Sequence, residues 1–280
     1  MILVNYDCRG QTFEGGWLRA TAFGQEVFRL EVMNSNSNAR TASFMRLRQE
    51  GRTEEVVRRL IEVIDLGLYA EGEQLPSENE LAMQFGVATV TLREALALLR
   101  ERRVIETRRG RNGGSFVCAA VELPEDSLRN RLADMSGLEL RDMCDEHAAI
   151  SGAAARLAAK RSAPEHHQTL QHYIDALATA ATRTERRRAD ARFHIEIAVA
   201  AQSVRLTHAE MSLQAEIGEL LWITGEGSIT AQVAQAEHQA IADAISTGDP
   251  NLAGALAEAH VTRSIKRLID LRLDLLAEIA

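Results

Sequence analysis

The spacing of apolar residues predicts helices along most of the chain after residue 51. The first helix begins near Arg52, and its apolar positions recur at the three- and four-residue spacing of one buried face: Val56, Val57, Leu60, Ile61 and Ile64. Gly67 and Gly72 then interrupt the pattern, because glycine disfavours a helix interior. An amphipathic helix followed by a turn is therefore expected at the start of this region.

The next segment predicts a short helix, a tight turn and a second helix. Ser77-x-x-Glu80 has the spacing of a capping box, in which the Ser77 hydroxyl accepts from the Glu80 backbone N–H and Glu80 reaches back. Gly86 ends the first helix, since glycine tolerates the left-handed conformation of a C-terminal cap. A second helix runs from near Thr89 to about Arg103. This arrangement is typical of a helix-turn-helix.

A basic hairpin is predicted directly after the second helix. Two short runs containing β-branched residues, 104–107 and 115–117, flank a glycine-rich tip. The tip carries three arginines: Arg108, Arg109 and Arg111. A basic hairpin beside a helix-turn-helix is a wing, which would contact the DNA backbone or the minor groove.

The remainder of the chain, after a short linker at Pro124, carries only helical periods. They extend over six segments: 137–161, 165–181, 184–201, 203–223, 229–247 and 249–278. Six or seven helices in sequence predict one all-α bundle. The predicted fold class is therefore mainly all-α, with an N-terminal winged helix-turn-helix, a small β-hairpin wing and a C-terminal six- or seven-helix bundle.

Composition supports three regions in the chain of 280 residues. Hydrophobic residues make up 46%, which excludes a disordered tail protein, and aromatic residues are only 4%, which favours helices over sheets. Residues 1–44 show no sustained period, and we expect a flexible or non-native extension there. Residues 45–120 form the predicted winged helix-turn-helix DNA-binding domain, and residues 121–280 form the predicted bundle.

The distribution of charge indicates which partners the protein can bind, and the cysteine content indicates its cellular compartment. The net charge of −8 argues against a simple nucleic-acid coat, but the segment from Arg100 to Arg111 is strongly basic and can bind phosphate locally. Three scattered cysteines form no CxxC pair and indicate a reducing cytoplasm. No apolar run approaches the ~20 residues of a membrane helix, so no membrane partner is expected.

Several separate blocks occur in order over residues 52–118. They are Leu75-Pro76-Ser77-Glu78, Glu80-Leu81-Ala82, Gly86-Val87, Leu92-Arg93-Glu94-Ala95-Leu96 and Arg109-Gly110. These blocks resemble the winged helix-turn-helix of GntR-type transcription regulators. The bundle carries Asp190-Ala-Arg-Phe-His194, Glu237-His238, Ala244-Ile245-Ser-Thr-Gly248-Asp249 and His260. It resembles the ligand-sensing FCD domain of the FadR-type branch, which implies effector binding and dimerisation.

The resemblance implies DNA contacts at positions on the two helices and the wing. They are Asn79, Ala88, Thr89, Thr91, Arg93, Arg109 and Gly110, with Arg108 and Arg111 beside them. Arg93 lies near the start of the second helix, where it can reach a phosphate or bind a guanine edge bidentately. Thr91 can donate to a phosphate. Taken alone, Arg93 could instead form a salt bridge with Glu94 or Glu101.

This chain departs from the family pattern at three of those positions. The family usually has Ser-Arg where this chain has Ala88-Thr89, and often Arg where it has Asn79. Two common positive contacts are therefore missing. We expect a different operator, with more of the binding carried by the arginines of the wing.

Four residues of the bundle form a candidate metal site. Asp190 and His194 are four positions apart and project from one face of one helix, while His238 and His260 belong to two later helices. From spacing alone, each histidine could be a surface or hydrogen-bonded residue. In FCD domains these four positions hold a metal, so the resemblance implies a divalent ion. One carboxylate and three imidazoles suit Zn²⁺ first, and also Ni²⁺, Mn²⁺ or Fe²⁺.

The FCD resemblance also implies that a small carboxylate metabolite completes the metal shell and changes the affinity for DNA. The Arg and Glu usual on the first helix of the domain fall on His147 and Ser151. Other candidate partners of the anion are Arg192, Arg205 and Arg263. These five residues are the candidate effector-binding positions.

Three functions remain open at this point. The first is a dimeric, metabolite-responsive regulator that binds double-stranded operator DNA, with repression as the expected mode and no catalytic residues. The second is a constitutive DNA-binding protein whose bundle only dimerises, which the residues at His147 and Ser151 keep open. The third is a metal-dependent hydrolase, against which stands the lack of a nucleophile motif, a phosphate loop or a separate general base fixed by spacing.

Overall fold

The computed structural model describes residues 51–110, 113–118, 123–225 and 229–279. The predicted extension at 1–44, the wing residue Arg111 and the predicted boundary between residues 120 and 121 lie outside these ranges. The described elements are α1 (Arg52–Asp65), α2 (Glu78–Phe85), α3 (Thr89–Glu101), β1 (Ile105–Arg108), β2 (Gly114–Val117), α4 (Glu125–Asp134), α5 (Gly137–Arg161), α6 (Pro164–Thr179), α7 (Arg183–Ala200), α8 (Val204–Leu221), α9 (Ala231–Ser246) and α10 (Pro250–Ile279). The predicted fold class is confirmed.

The helix-turn-helix forms through the local signals that the sequence carries. The Ser77 hydroxyl accepts from the Glu80 backbone N–H at 3.3 Å, and the Ser77 N–H donates to the Glu80 carboxylate at 2.8 Å. Gly86 caps the end of α2 at φ 66°, in the left-handed region that favours glycine. Leu92, Leu96 and Leu99 on α3 then face a core shared with α1. The capping box, the turn and the inward face of α3 are thus confirmed.

No single helix in the described ranges is long and apolar enough to cross a membrane. Helices α2 and α3 reach that length and composition only as a pair, and they are bent by 111° at the turn between them.

The wing is a two-stranded antiparallel hairpin. Ile105 pairs with Val117 at its base, and Arg108 pairs with Gly114 at its tip. Gly113 is required there, because a Cβ at this position would lie 2.6 Å from the Arg108 carbonyl oxygen. The Gln74 side chain donates to the Gly113 carbonyl at 3.0 Å, which ties the tip to the segment that precedes α2.

The bundle contains seven described helices, α4 to α10. The long helices α5 and α10 pack along each other. The described core of the bundle has three clusters: one mainly of alanine and isoleucine, one around α4, α5, α8 and α10, and a small one around Trp222. Helix α4 was not predicted. It is too short to show a period, and only Leu128 and Leu132 are buried on it.

Helix α7 lies between the bundle and the winged helix-turn-helix. Ala191, Ile195 and Val199 belong to the same buried cluster as the core of the winged helix-turn-helix, while Phe193 and Ile197 belong to the core of the bundle. Because both sides of this helix are covered, its buried positions do not form a single stripe.

Candidate metal centre and DNA-binding surface

The four candidate metal ligands converge at one buried point. Asp190 and His194 come from α7, His238 from α9 and His260 from α10, and all four are buried. Their candidate ligand atoms all lie within 4.8 Å of one another. His194 Nε2 is 3.2 Å from His260 Nε2, and His238 Nε2 is 3.3 Å from Asp190 Oδ1.

Neighbouring side chains orient three of these ligands. Glu237 Oε2 lies 2.6 Å from His260 Nδ1, so the proton of this imidazole faces Glu237 and the Nε2 lone pair faces the centre. The Trp222 indole N–H donates to Asp190 Oδ2 at 3.3 Å, which leaves Oδ1 directed at the histidines. The His238 ring stacks on Phe193 with a centroid distance of 4.0 Å.

The residues present fit a divalent metal ion. His238 Nδ1 is buried and has no hydrogen-bond partner among the described residues, and its Nε2 has the Asp190 carboxylate beside it at 3.3 Å, so this buried ring is poorly satisfied without a ligand. Two imidazole Nε2 atoms 3.2 Å apart would satisfy each other only as donor and acceptor, whereas a cation would satisfy both lone pairs. Three nitrogens and one oxygen are a common donor set for Zn²⁺ and related ions.

Burial of the histidines and the contact between Asp190 and His238 keep the ligands in the protonation states that bind metal. Burial, together with the neighbouring His260, lowers the pKa of His194 to about 3, and burial also lowers the pKa of His238. Burial alone would raise the pKa of Asp190, but the contact with His238 outweighs it and holds this pKa well below its usual value. Neutral imidazoles and an ionised carboxylate are the forms that coordinate a cation.

A second buried polar cluster surrounds Glu210 on α8, which is 1% exposed. Its carboxylate lies 3.0 Å from His147 Nε2, accepts from the Ser151 hydroxyl at 2.8 Å and accepts from the Gln214 amide at 3.0 Å. Burial opposes ionisation, but His147 and Gln214 outweigh it and lower the pKa of Glu210 to about 2. The His147 ring centroid is 6.0 Å from that of His194, so this cluster borders the metal centre.

Sequence reasoning missed four partners in these two clusters. Glu210 and Gln214 are four positions apart on the buried side of α8, which was the available signal. Glu237 directly precedes His238, and Trp222 ends α8, but neither position indicates which atom it contacts.

The five candidate effector positions do not all meet. His147 borders the metal centre, and both His147 and Ser151 already contact Glu210. Arg263 Nε donates to Glu237 Oε1 at 2.9 Å and is therefore two contacts from the ligands. Arg192 lies with its guanidinium carbon 5.4 Å from the Tyr173 ring centroid, and Arg205 is exposed in the first turn of α8.

The candidate DNA-contact residues of the helices lie on the surface. The Arg93 side chain is 65% exposed, and its Nε donates to Glu78 Oε2 on α2 at 2.8 Å. Its ion-pair partner is thus Glu78 on the preceding helix, rather than Glu94 or Glu101 on its own. Exposed pairs of this kind contribute little, about 0.2–1 kcal/mol, so a phosphate can compete for the arginine. Asn79 is exposed, and Thr89 and Thr91 are half-buried.

The described wing residues are also on the surface. Arg108 pairs with Glu106 at 2.8 Å, and its guanidinium lies 4.3 Å from the Phe116 ring centroid. Arg109 and Gly110 are exposed, and Gly110 has φ 117°. Contact of all these residues with DNA stays a prediction.

Comparison with known proteins assigns this sequence to a family. The sequence model of the bacterial regulatory proteins of the gntR family matches residues 52–117, and that of the FCD domain matches residues 139–263. A putative HTH-type transcriptional regulator, RmpR of Mycobacterium gastri, is 44% identical over 224 residues, which cover 79% of this chain and 82% of that protein. The chain belongs to the GntR family.

Two further relatives of this GntR-family chain come from Escherichia coli K12. A putative L-lactate dehydrogenase operon regulatory protein is 30% identical over 75% of this chain and 83% of its own length. A Glc operon transcriptional activator is 28% identical over 79% of this chain and 90% of its own length. The chain is therefore a transcriptional regulator of the GntR/FCD type, and the family and its relatives are regulators rather than enzymes.

Proposed function

We propose that this chain is a dimeric repressor that reads operator DNA and whose affinity for DNA is set by a small carboxylate bound at the metal centre. The observation that carries this proposal is the position of α7. One face of this helix supplies the ligands Asp190 and His194, while Ala191 and Ile195 pack into the core of the DNA-binding region.

Polar contacts reinforce this connection one turn before the ligands. Arg187 Nη2 donates to the Asp65 carbonyl at 2.9 Å, and Arg188 Nε donates to the same oxygen at 3.3 Å. Asp65 is the last residue of α1, where an arginine also interacts favourably with the helix dipole. A displacement of α7 at the metal centre would therefore shift the end of α1, which belongs to the DNA-binding region.

The metal would be held by Asp190, His194, His238 and His260. When bound, it would supply a Lewis acid that attracts the oxygens of a carboxylate. His147 borders the centre, and Glu210 holds both His147 and Ser151. Because Glu210 is itself an anion, an incoming carboxylate must share His147 and Ser151 with it.

Binding of the effector can regulate DNA affinity only if it favours one arrangement of the two DNA-binding regions in a dimer. One helix-turn-helix reads few base pairs, so two copies are expected on a two-fold operator. An effector that favours the arrangement that fits the operator less well would relieve repression. L-lactate is the first acid to test, because one relative is named for an L-lactate dehydrogenase operon.

The test is fluorescence anisotropy of the zinc-loaded protein on DNA from upstream of its own gene. We expect tight, salt-dependent binding that is lost on a scrambled duplex and weakened by L-lactate or another small acid in the panel. Equal binding to both duplexes would contradict sequence reading. Binding that no acid changes would favour the constitutive alternative, in which the bundle only dimerises.

Thermal unfolding separates the same alternatives without DNA. An acid at about 100 times its Kd should stabilise the metal-loaded protein by ~2.7 kcal/mol. The chelated protein is the matched control, because a carboxylate that binds through the metal has no site there. Size-exclusion chromatography with light scattering tests the dimer directly.

A further inference from the structure

An open groove between α6 and α7 is separate from the metal centre. It has a volume of about 390 Å³, which lies within the range of small-molecule sites. Arg188 and Arg192 line it from α7, and these two positions are one turn apart on the same face. Position 192 lies about 200° around the helix from the ligand position 190, so the groove and the metal centre occupy different sides of α7.

The described lining of the groove contains charged groups of both signs. The described lining residues include two arginines, Arg188 and Arg192, and one carboxylate, that of Glu185. Glu185 is committed elsewhere, because its carboxylate accepts from the backbone N–H groups of Ala181 and Thr182 at 2.8 and 2.9 Å. Two arginine side chains that line one cavity offer planar N–H groups, which match the oxygens of a carboxylate or phosphate.

The remaining wall of the groove is mostly apolar. Tyr173 is buried, and Ala176 and Ala189 lie beside it. The guanidinium carbon of Arg192 lies 5.4 Å from the Tyr173 ring centroid, a cation–π distance that holds the cation in position. The groove thus combines a cationic end with an aromatic and aliphatic wall.

We propose that this groove binds a small organic anion with an apolar body, such as an aromatic carboxylate or phosphate ester. Arg188 and Arg192 bind the anionic group, and the aliphatic wall at Ala176 and Ala180 packs against the body. The site goes beyond the proposed function, since it needs no metal.

The groove also borders the DNA-binding region. Arg188, which lines the groove, donates to the Asp65 carbonyl at 3.3 Å, and its side chain packs against Gly67, where a Cβ would lie 3.0 Å from Arg188 Cδ. An anion in the groove therefore competes with the end of α1 for the same guanidinium.

The test is calorimetric titration of the full chain with phenyl phosphate, benzoate and the neutral benzyl alcohol. We expect saturable binding of at least one anion and none of the alcohol. Arg192→Gln and Arg188→Gln should each weaken it roughly 10-fold or more, as expected for loss of a charge-assisted hydrogen bond. Arg141→Gln, which changes an exposed arginine on α5, is the matched control and should bind as the wild type does.

Chelation distinguishes this site from the metal centre. Binding should persist in the chelated protein and in His194→Ala, whereas an effector of the proposed function loses its site in both. Three results would overturn the proposal: no anion binds saturably, benzyl alcohol binds as tightly as phenyl phosphate, or binding is lost on chelation while Arg192→Gln retains it.

Discussion

The polar residues of the DNA-binding surface and those of the metal centre are held in opposite ways. Arg93, Arg108 and Arg109 are exposed, and water also satisfies the groups that pair in Arg93–Glu78 and Arg108–Glu106. His194, His238 and Asp190 are buried, and their partners come from other helices. The first surface is free to exchange its contacts for phosphates, whereas the second is costly unless a cation completes it.

Removal of a metal ligand should have the largest effect. We expect His194→Ala to lower metal affinity by more than roughly 100-fold, because one of four converging donors is lost and even outer contacts contribute 10–100-fold. Competition with a chromophoric chelator measures this, with His172→Ala, an exposed histidine on α6, as the control. Equal metal affinity in the two variants would contradict the assignment of His194 as a buried metal ligand.

Loss of the charge behind a ligand should have the next largest effect. Glu237→Gln keeps the shape of the side chain but weakens its hold on His260 Nδ1, so metal affinity should fall by about 10–100-fold. The same competition assay measures it. Glu78→Gln, which changes the partner of an exposed arginine, should leave metal affinity unchanged. A metal affinity that Glu237→Gln does not alter would show that this contact does not tune the centre.

A substitution on the exposed surface should weaken operator binding without lowering the free energy of unfolding. We expect Arg93→Ala to cost about 1–3 kcal/mol of operator binding, as for one specific arginine contact, while the free energy of unfolding changes by less than about 0.5 kcal/mol. Anisotropy and urea unfolding measure the two quantities. A large loss of stability with intact DNA binding would reverse the assignment.

The stability of the metal-free protein should depend on pH because the histidines of the metal centre are buried. Since the folded pKa of His194 is about 3 and its ordinary value is 6.5, the unfolded chain takes up this proton first as the pH falls. Stability should therefore drop by about 1 kcal/mol per such histidine between pH 7 and 5.5, and His238 shifts in the same direction.

Urea unfolding in the presence of a chelator tests this pH dependence. Glu210 and Glu237, with folded pKa values of about 2, titrate only below about pH 4.5 and do not interfere. His194→Asn should flatten the slope, and a slope that stays as steep in this variant would contradict the assignment.

A substitution in the wing should have the smallest effect on DNA binding. Arg109→Ala removes one exposed charge, so binding should weaken about equally on specific and scrambled duplexes. The slope of log affinity against log salt should decrease by about 1. A loss confined to the specific duplex would instead show that Arg109 reads a base.

Local signals made the DNA-binding region predictable from sequence. The Ser77–Glu80 capping box, the left-handed Gly86 and the hairpin register around Gly113 each depend on residues close in sequence. Helix α4 escaped prediction for the converse reason, since two buried leucines cannot establish a period. The candidate ligands were found only because they matched a family pattern, as a histidine in a helix carries no signal of what it will face.

The sequence by itself determined the longer helices, the caps of α2 and the hairpin, because propensity, capping and spacing act within a few positions of the chain, and its family pattern indicated the candidate donor residues. Only the tertiary structure decided that Asp190, His194, His238 and His260 meet, that Glu210 occupies His147 and Ser151, and that Arg93 pairs with Glu78. Those outcomes depend on how α7 packs between two cores, and packing brings together residues as many as 70 positions apart.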